Sequence, residues 1–344
     1  MKYGPLPTSV LEWLALASGR VPVPLIDAVL GPMKARAIMA AVSLGVFEAM
    51  RHGRHTAVGL ASRLNLNAGA LSLLLRILVL SEYLTVRNDL FALSKMARKT
   101  MLMGAPMQMV GYLRFNYAQW ELIEHLEELV QTGHGGDFHQ TMTELDRWRD
   151  YQLGMLEIAR MESPGVSALI PVRRGAQSLL DVAGAHGLFG ATICRRHPPM
   201  RCTVLDLPQA IPHASALVAH EGLSDVVSHR AGDALTSEFG HHDVLLLFNI
   251  LHHFSVEDGA AIVRRAHRAL RPDGTVAIWE LEAPTEGSRA SNGDWVAMFF
   301  RLTSTAAVYH GDSLMNLLQD AGFHHVRIVR PLFSPGKVLV TGRR

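Results

Sequence analysis

Three observations in this sequence predict a doubly wound α/β domain with a mostly parallel sheet, preceded by a mainly helical domain. From Ser178 to Glu280, short apolar runs alternate with amphipathic stretches of helical period, the order expected of parallel strands joined by crossover helices. The run Ser178–Val182 ends in a small-residue turn, Ala183–Gly187, that leads into a helix starting near Leu188. Glycines at such a turn let the backbone approach a ligand and leave amide N–H groups at a helix N-terminus. The stretch from Ala35 to Leu93, by contrast, has helical periodicity interrupted by one hairpin signal.

With 344 residues the chain is long enough for two domains, placed at 1–105 and 106–344 by the change of pattern. A hydrophobic content of 49% with 19% charged residues excludes a disordered chain. The net charge of +2 supplies no basic face, so neither nucleic acid nor an anionic membrane is an expected partner. Cys194 and Cys202 lack metal or redox spacing, which fits a reducing, cytoplasmic setting. Val10–Ala17 is apolar, but Glu12 breaks its core and Lys2 is the one basic residue before it, so a signal peptide is not expected. No run of about 18 uncharged apolar residues is present, so no membrane span is expected either.

In the first domain, Ile38, Ala41, Val42, Gly45, Val46 and Ala49 recur at helical spacing and predict one helix over Ala35–Met50. Thr56–Asn67 reads as a short helix and turn, and Ala68–Leu80 as a second helix with Leu71, Leu74, Leu75 and Leu78 on one face. Glu82–Leu93 reads as a hairpin turning at Asn88-Asp89. Helix, helix, helix and wing resemble a winged helix-turn-helix. DNA recognition needs Arg, Lys, Asn or Gln on the exposed face of the second helix, and Arg76 alone supplies one. The surplus of apolar residues suits burial against a second subunit. Met101, Met103, Met107 and Met109 read as core filler, Gly133–Gly136 as a loop, and Leu145–Ala159 as a helix carrying Trp148, Tyr151 and Met155.

In the second domain the helix from Leu188 to Arg196 stops at His197-Pro-Pro, and strands follow at Arg201–Leu205, Val226–Arg230 and Asp243–Phe248. A helix over Val256–Leu270, a turn at Arg271–Gly274 and a strand at Thr275–Glu280 complete a further unit. A helix over Ser313–Ala321 and two antiparallel strands around Ser334-Pro-Gly336 end the chain. Gly184, Asp206, Asp233 and His252 each close a strand, so they share the sheet edge at which ligands bind in such folds. Asp206 lies 25 residues beyond Asp181, close to the spacing of an acidic residue that reaches ribose hydroxyls. A nicotinamide fingerprint needs Gly at 184, 186 and 189, where His186 and Phe189 occupy the last two positions. Adjacent histidines at 241–242, 252–253 and 324–325 diverge and have no Asp or Glu at ligand spacing, so no metal is expected.

Asp181-x-x-Gly184-x-x-Gly187 resembles the first motif of class I S-adenosylmethionine (SAM) methyltransferases, which have a Rossmann-like sheet. Together with Tyr151-x-x-Gly-Met155, Asp206-Leu-Pro208, Gly232-Asp233, Leu251-His-His-Phe254 and Ala321-Gly-Phe323, it resembles the plant-type and bacterial small-molecule O-methyltransferases of secondary metabolism. The resemblance implies SAM as cofactor, a winged-helix dimerisation domain, a homodimer, and an aromatic acceptor with a phenolic or enolic hydroxyl. By position it implies that His252 is the general base. Asp206 would bind the ribose, Asp233 and Ala234 would flank the adenine, and Gly184 and Gly187 would face the methionine part. Met155 would lie near the methyl donor, with Asp181, Leu207, Gly232, Phe248 and Asn249 as further cofactor contacts. Trp120, Trp148, Tyr151, Trp295, Met298, Phe299 and Phe300 are candidates for lining an acceptor pocket.

The chain departs from that pattern at several positions. Ala185 and His186 replace glycines and bring a methyl group toward the cofactor, and Phe248 replaces a lysine. His253-Phe254 replaces Asp-Trp after the base, and the helper glutamate near Val308 is absent, which leaves Glu280, Glu282 and Asp294 as candidates for orienting His252. These departures keep open SAM-binding chemistry without methyl transfer, and C- or N-methylation on the same fold is a further alternative.

Overall fold

The structure is a computed structural model and describes residues 4, 7–136, 145–284, 287, 290, 292–303 and 308–344. It divides into two compact units, Met1–Tyr117 and Ala118–Arg344. The division falls beyond residue 105 because a further helix, Val110–Ala118, contributes Val110 and Leu113 to the core of the first unit.

In the first unit, Ser9 caps α1 (Val10–Ala17) by accepting the Glu12 N–H, yet α1 buries none of its residues. Helical turns over 23–30 lead into α2 (Gly31–Ser43). The single helix expected over Ala35–Met50 is in fact two, because Gly45 takes φ +71° and α3 (Val46–Ala49) starts afresh. A glycine that matches an apolar period is also the residue that most easily takes the left-handed turn ending a helix. Thr56 and Asn67 cap α4 (Ala57–Leu64) and α5 (Ala68–Leu80) through their side chains. Leu71, Leu75 and Leu78 are buried, and Leu74 is half-buried. The strands β1 (Leu84–Arg87) and β2 (Leu90–Leu93) pair across Asn88 and Asp89, whose φ values of 49° and 57° give the left-handed pair that a tight hairpin needs. After α6 (Lys95–Thr100) the chain reaches α7 (Val110–Ala118). Met101 is buried between them and Met109 is half-buried, but Met103 and Met107 are exposed, so of the four expected core methionines two lie on the surface.

The second unit opens with α8 (Trp120–Ile123) and α9 (Leu126–Thr132), the latter closed by Gly133 at φ +77°. The helix α10 (Leu145–Leu169) does not stop at Ala159 but runs on through Pro164. Ser-Pro-Gly reads locally as a breaker. Here Val166 and Ile170 pack into the core and Gly165 lies under the Phe333 ring, so tertiary burial outweighs the lost amide.

The sheet is built from β3 (Ser178–Val182), β4 (Arg201–Asp206), β5 (Val227–Ala231), β6 (His242–Phe248), β7 (Leu270–Leu281), β8 (His324–Val329) and β9 (Lys337–Arg343). Its spatial order is β5-β4-β3-β6-β7-β9-β8. The first five in that order are parallel, and β9 is antiparallel to both its neighbours. Helices α11 (Leu188–Arg196), α12 (Ile211–His220) and α13 (Val256–Ala269) are the crossovers, and α14 (Asn292–Thr303) and α15 (Gly311–Asp320) precede β8. The turn expected at Arg271–Gly274 lies within β7, where Leu270 already pairs with His242 and Asp273 takes φ +60°. Successive residues of β6 face opposite cores, Leu245 and Leu247 toward Ile262 and Val263, Leu246 and Phe248 toward Ala191 and Trp279. At the amino edge of the sheet, Asp243 accepts from the Gln177 and Ser178 N–H groups and from Arg173 and Arg271. Burial pushes its carboxyl up, but those donors outweigh burial and hold it down to about 2. No single helix among the described residues is long and apolar enough to cross a membrane.

Candidate active site

Between β3 and β6 the order of connection reverses, and a crevice opens there at the carboxyl ends of the strands. A cavity of about 250 Å³ occupies it, lined by the ends of β3, β4, β5 and β6 and by Trp148, Tyr151 and Gln152 of α10.

The turn after β3 forms one rim. Ala183 and Ala185 both take the left-handed conformation, at φ 53° and 52°, where an L side chain is strained. Gly184 is needed for a different reason, since a Cβ there would overlap the Asp181 carboxyl. Gly187 combines φ +66° with contact, and its Cβ would come within 2.8 Å of Val204 and Val227. The strained turn is held from three sides. Asp206 Oδ2 accepts the Ala185 N–H at 2.9 Å, and His229 of β5 meets the Ala185 carbonyl at 2.8 Å. His186 Nδ1 accepts the Leu188 N–H at 3.1 Å, and its ring is also bonded to the Met155 backbone, which ties the turn to α10. Burial lowers the His186 pKa to about 4, so the ring is neutral at pH 7. Burial, and then the Asp206 charge, pushes the Asp181 carboxyl up to about 7 against one N–H bond from Gly190.

The expected site residues separate into those that line the cavity and those that shape its rim. Asp206, Leu207, Gly232, Asp233, Ala234 and Asn249 line it. Gly184 and Gly187 set the course of the turn from within it, and Asp181 lies buried behind it on β3. Met155 contributes its backbone to His186 and stays outside the cavity wall. Phe248 points the other way, into the core against the Phe189 ring at 5.1 Å, because strand alternation gives the cavity to Asn249 instead. Trp148 and Tyr151 form a wall with their rings edge to face at 6.0 Å. Burial and then the Asp206 charge raise the Tyr151 phenol, which stays protonated at neutral pH. Trp120 and Phe299 do not line the cavity, and Trp295 (74% exposed) and Met298 (44%) lie on the surface of α14.

His252 sits in a 3₁₀ turn, Leu251–His253, just past β6. Its Nδ1 is 2.7 Å from Glu280 Oε2, and the other oxygen of that carboxylate accepts the Leu251 N–H at 2.8 Å. Both side chains are buried. Parallel pairing of β6 with β7, which sets Phe248 opposite Trp279, brings Glu280 under the turn. Of the other two candidates for orienting the ring, Glu282 is bound instead by Arg330 at 2.6 Å and by the Gly311 N–H, and Asp294 lies in the first turn of α14. The His252 ring lies 4.1 Å from that of His253, which lines the cavity, and 4.4 Å from that of Phe300.

Sequence reasoning missed Gln152, His229 and Lys337. Lys337 opens β9 and donates to Asn249 Oδ1 at 2.9 Å while pairing with Glu162 at 3.1 Å. It therefore braces a cavity residue that is itself left-handed, at φ 51°.

This donor set fits SAM. The Asp206 and Asp233 carboxylates suit ribose hydroxyls and an amine, and an acidic wall favours a cationic sulfonium. Neither Arg nor Lys is among the described residues of the lining, so nothing there matches the phosphates of a dinucleotide.

The comparisons agree with this chemistry. The structure of the mitomycin 7-O-methyltransferase MmcR superposes with a TM-score of 0.83 at 26% identity, over 96% of this chain and 99% of that one. Human N-acetylserotonin methyltransferase in complex with SAM has the same fold, with a TM-score of 0.84 at 16% identity, over 98% and 99% of the two chains. The fold and the site thus define a SAM-dependent methyltransferase. The O-methyltransferase domain family matches residues 122–324 and the O-methyltransferase dimerisation domain matches 26–102, and the chain belongs to that family. It is 26% identical over 322 residues to 3-hydroxy-5-methyl-1-naphthoate 3-O-methyltransferase of Streptomyces sahachiroi, covering 92% of this chain and 93% of that one.

Proposed function

We propose that this methyltransferase acts on a hydroxyl of a flat aromatic secondary metabolite and that His252 removes the hydroxyl proton. The observation that carries this is the buried His252–Glu280 pair in the turn after β6, with the His252 ring against that of His253 in the cavity wall. In the tautomer whose Nδ1–H donates to Glu280, Nε2 carries the ring lone pair and is the atom that takes the proton. SAM, when bound, supplies a methyl group on a good leaving group. The protein's part is to hold the acceptor oxygen in line, to exclude water and to take the proton. Asp206 and Asp233 hold the cofactor, and Trp148 and Tyr151 give the cavity an aromatic wall. The naphthoate and mitomycin relatives support an aromatic acceptor.

The reading extends to a cytoplasmic homodimer. Val10, Leu11, Trp13 and Leu14 on α1 are all exposed, an apolar surface suited to a second copy. Cys194 and Cys202, buried and free, suit a reducing compartment. Light scattering should give twice the chain mass. The reaction is tested by incubating the protein with SAM and a panel of hydroxylated naphthoates and quinones, with the position of the new methyl read by mass spectrometry and NMR. A methoxy product is expected. An N- or C-methylated product, with no methoxy compound, would refute the choice of acceptor atom.

A further inference from the structure

Gln152 is 1% exposed and lies on α10 in the wall of the cavity, and its Oε1 has no hydrogen-bond partner among the described residues. Leaving a buried amide oxygen without a donor costs about 1–3 kcal/mol, so an apolar residue of that size would serve the fold better. A ligand that brings a donor to Oε1 removes that cost when it binds. Three parts of SAM bring donors: the ribose hydroxyls, the adenine amine and the α-ammonium. Asp206 and Asp233, at the ends of β4 and β5, present carboxylates to the nucleoside end. Gln152 lies one helical turn before Met155, whose backbone is bonded to His186 in the turn after β3. That turn is the rim on which the amino-acid end of the cofactor would rest.

We propose that Gln152 Oε1 accepts a hydrogen bond from the α-ammonium of the bound cofactor and so recognises its amino-acid end; this rests on SAM occupying the strand-end cavity. A neutral amide provides the acceptor without adding a further negative charge to a wall that already holds Asp206 and, behind the turn, Asp181. Burial and the Asp206 charge already raise the Asp181 carboxyl.

The test is calorimetric binding of S-adenosylhomocysteine and of 5′-methylthioadenosine, which lacks the amino-acid end, to the wild type, Gln152→Met and Gln152→Glu, with the melting temperature of each ligand-free protein. A hydrogen bond to a charged group predicts that Gln152→Met loses affinity for S-adenosylhomocysteine by about 10- to 100-fold. Its affinity for 5′-methylthioadenosine should stay within about 2-fold, and its melting temperature should equal or exceed that of the wild type. Gln152→Glu, which keeps an acceptor of the same reach, should hold S-adenosylhomocysteine within about 5-fold of the wild type. Unchanged S-adenosylhomocysteine binding in Gln152→Met, or equal losses for both ligands, would overturn the assignment. A wild type that binds neither ligand would instead overturn the placement of the cofactor.

Discussion

Replacing Glu280 by glutamine changes one atom and, through it, the protonation of His252. In the wild type the carboxylate accepts from the Leu251 N–H at 2.8 Å through Oε1 and meets His252 Nδ1 at 2.7 Å through Oε2. A glutamine that keeps its oxygen on the Leu251 N–H must present its NH₂ group to Nδ1. Nδ1 then becomes the acceptor and the ring proton moves to Nε2, where it blocks proton removal from the acceptor. Losing a hydrogen bond to a charged group costs about 1.5–3 kcal/mol, or roughly 10- to 150-fold in rate. Loss of the correct tautomer adds to this, up to the span of about 10²–10⁴ for general-base catalysis. The assay is S-adenosylhomocysteine release at saturating SAM with a naphthoate acceptor. Glu280→Gln should lower kcat by about 10²- to 10⁴-fold, with a smaller change in acceptor KM and unchanged cofactor affinity. A kcat within about 3-fold of the wild type would refute the reasoning, because it would mean that neither the charge nor the tautomer at Nδ1 matters.

Gly184→Ala would force a methyl group into the Asp181 carboxyl, so we expect a loss of about 1–3 kcal/mol in urea unfolding together with weaker S-adenosylhomocysteine binding. The Asp181 carboxyl, raised from 3.8 to about 7 in the fold, contributes stability that is fully present below about pH 4 and lost as pH rises through about 7. The stability of the wild type relative to Asp181→Asn should therefore fall across that window and level off above it, as read by urea unfolding at several pH values. His186, lowered from 6.5 to about 4, has the opposite dependence, with stability present above pH 6.5 and lost as pH falls through about 4, but it is common to both proteins and cancels in the comparison. Lys337→Met removes the ammonium that braces Asn249 and pairs with Glu162. It should lower stability by about 1–3 kcal/mol and weaken S-adenosylhomocysteine binding, and calorimetry that finds wild-type affinity would show that Asn249 keeps its conformation unaided.

The sheet was legible because each parallel strand is a short apolar run and each closes on a residue of distinct chemistry. Asp206, Asp233 and Asn249 reach the cavity from sequence positions that local pattern alone assigns to strand ends. What local pattern does not carry is register. Which of Glu280, Glu282 and Asp294 meets His252 depends on the pairing of β6 with β7, and that pairing selects Glu280. Phe248 and Asn249 were equal candidates until strand alternation separated them, one into the core and one into the cavity. Lys337 was invisible for a related reason, since it comes from an antiparallel strand 88 residues beyond Asn249. The extension of α10 past Pro164 and the break of the first long helix at Gly45 are contests between local propensity and packing, decided by Val166 and Ile170 in the first case and by a left-handed glycine in the second.

The role given to His252 is tested most directly by kcat for methyl transfer to a phenolic acceptor in the wild type and His252→Ala, with S-adenosylhomocysteine affinity measured on the same preparations. With His252 as the general base, kcat should fall by about 10²- to 10⁴-fold in His252→Ala with cofactor affinity retained. Equal kcat in the two proteins would contradict it and would mean that the acceptor oxygen reaches the site already ionised.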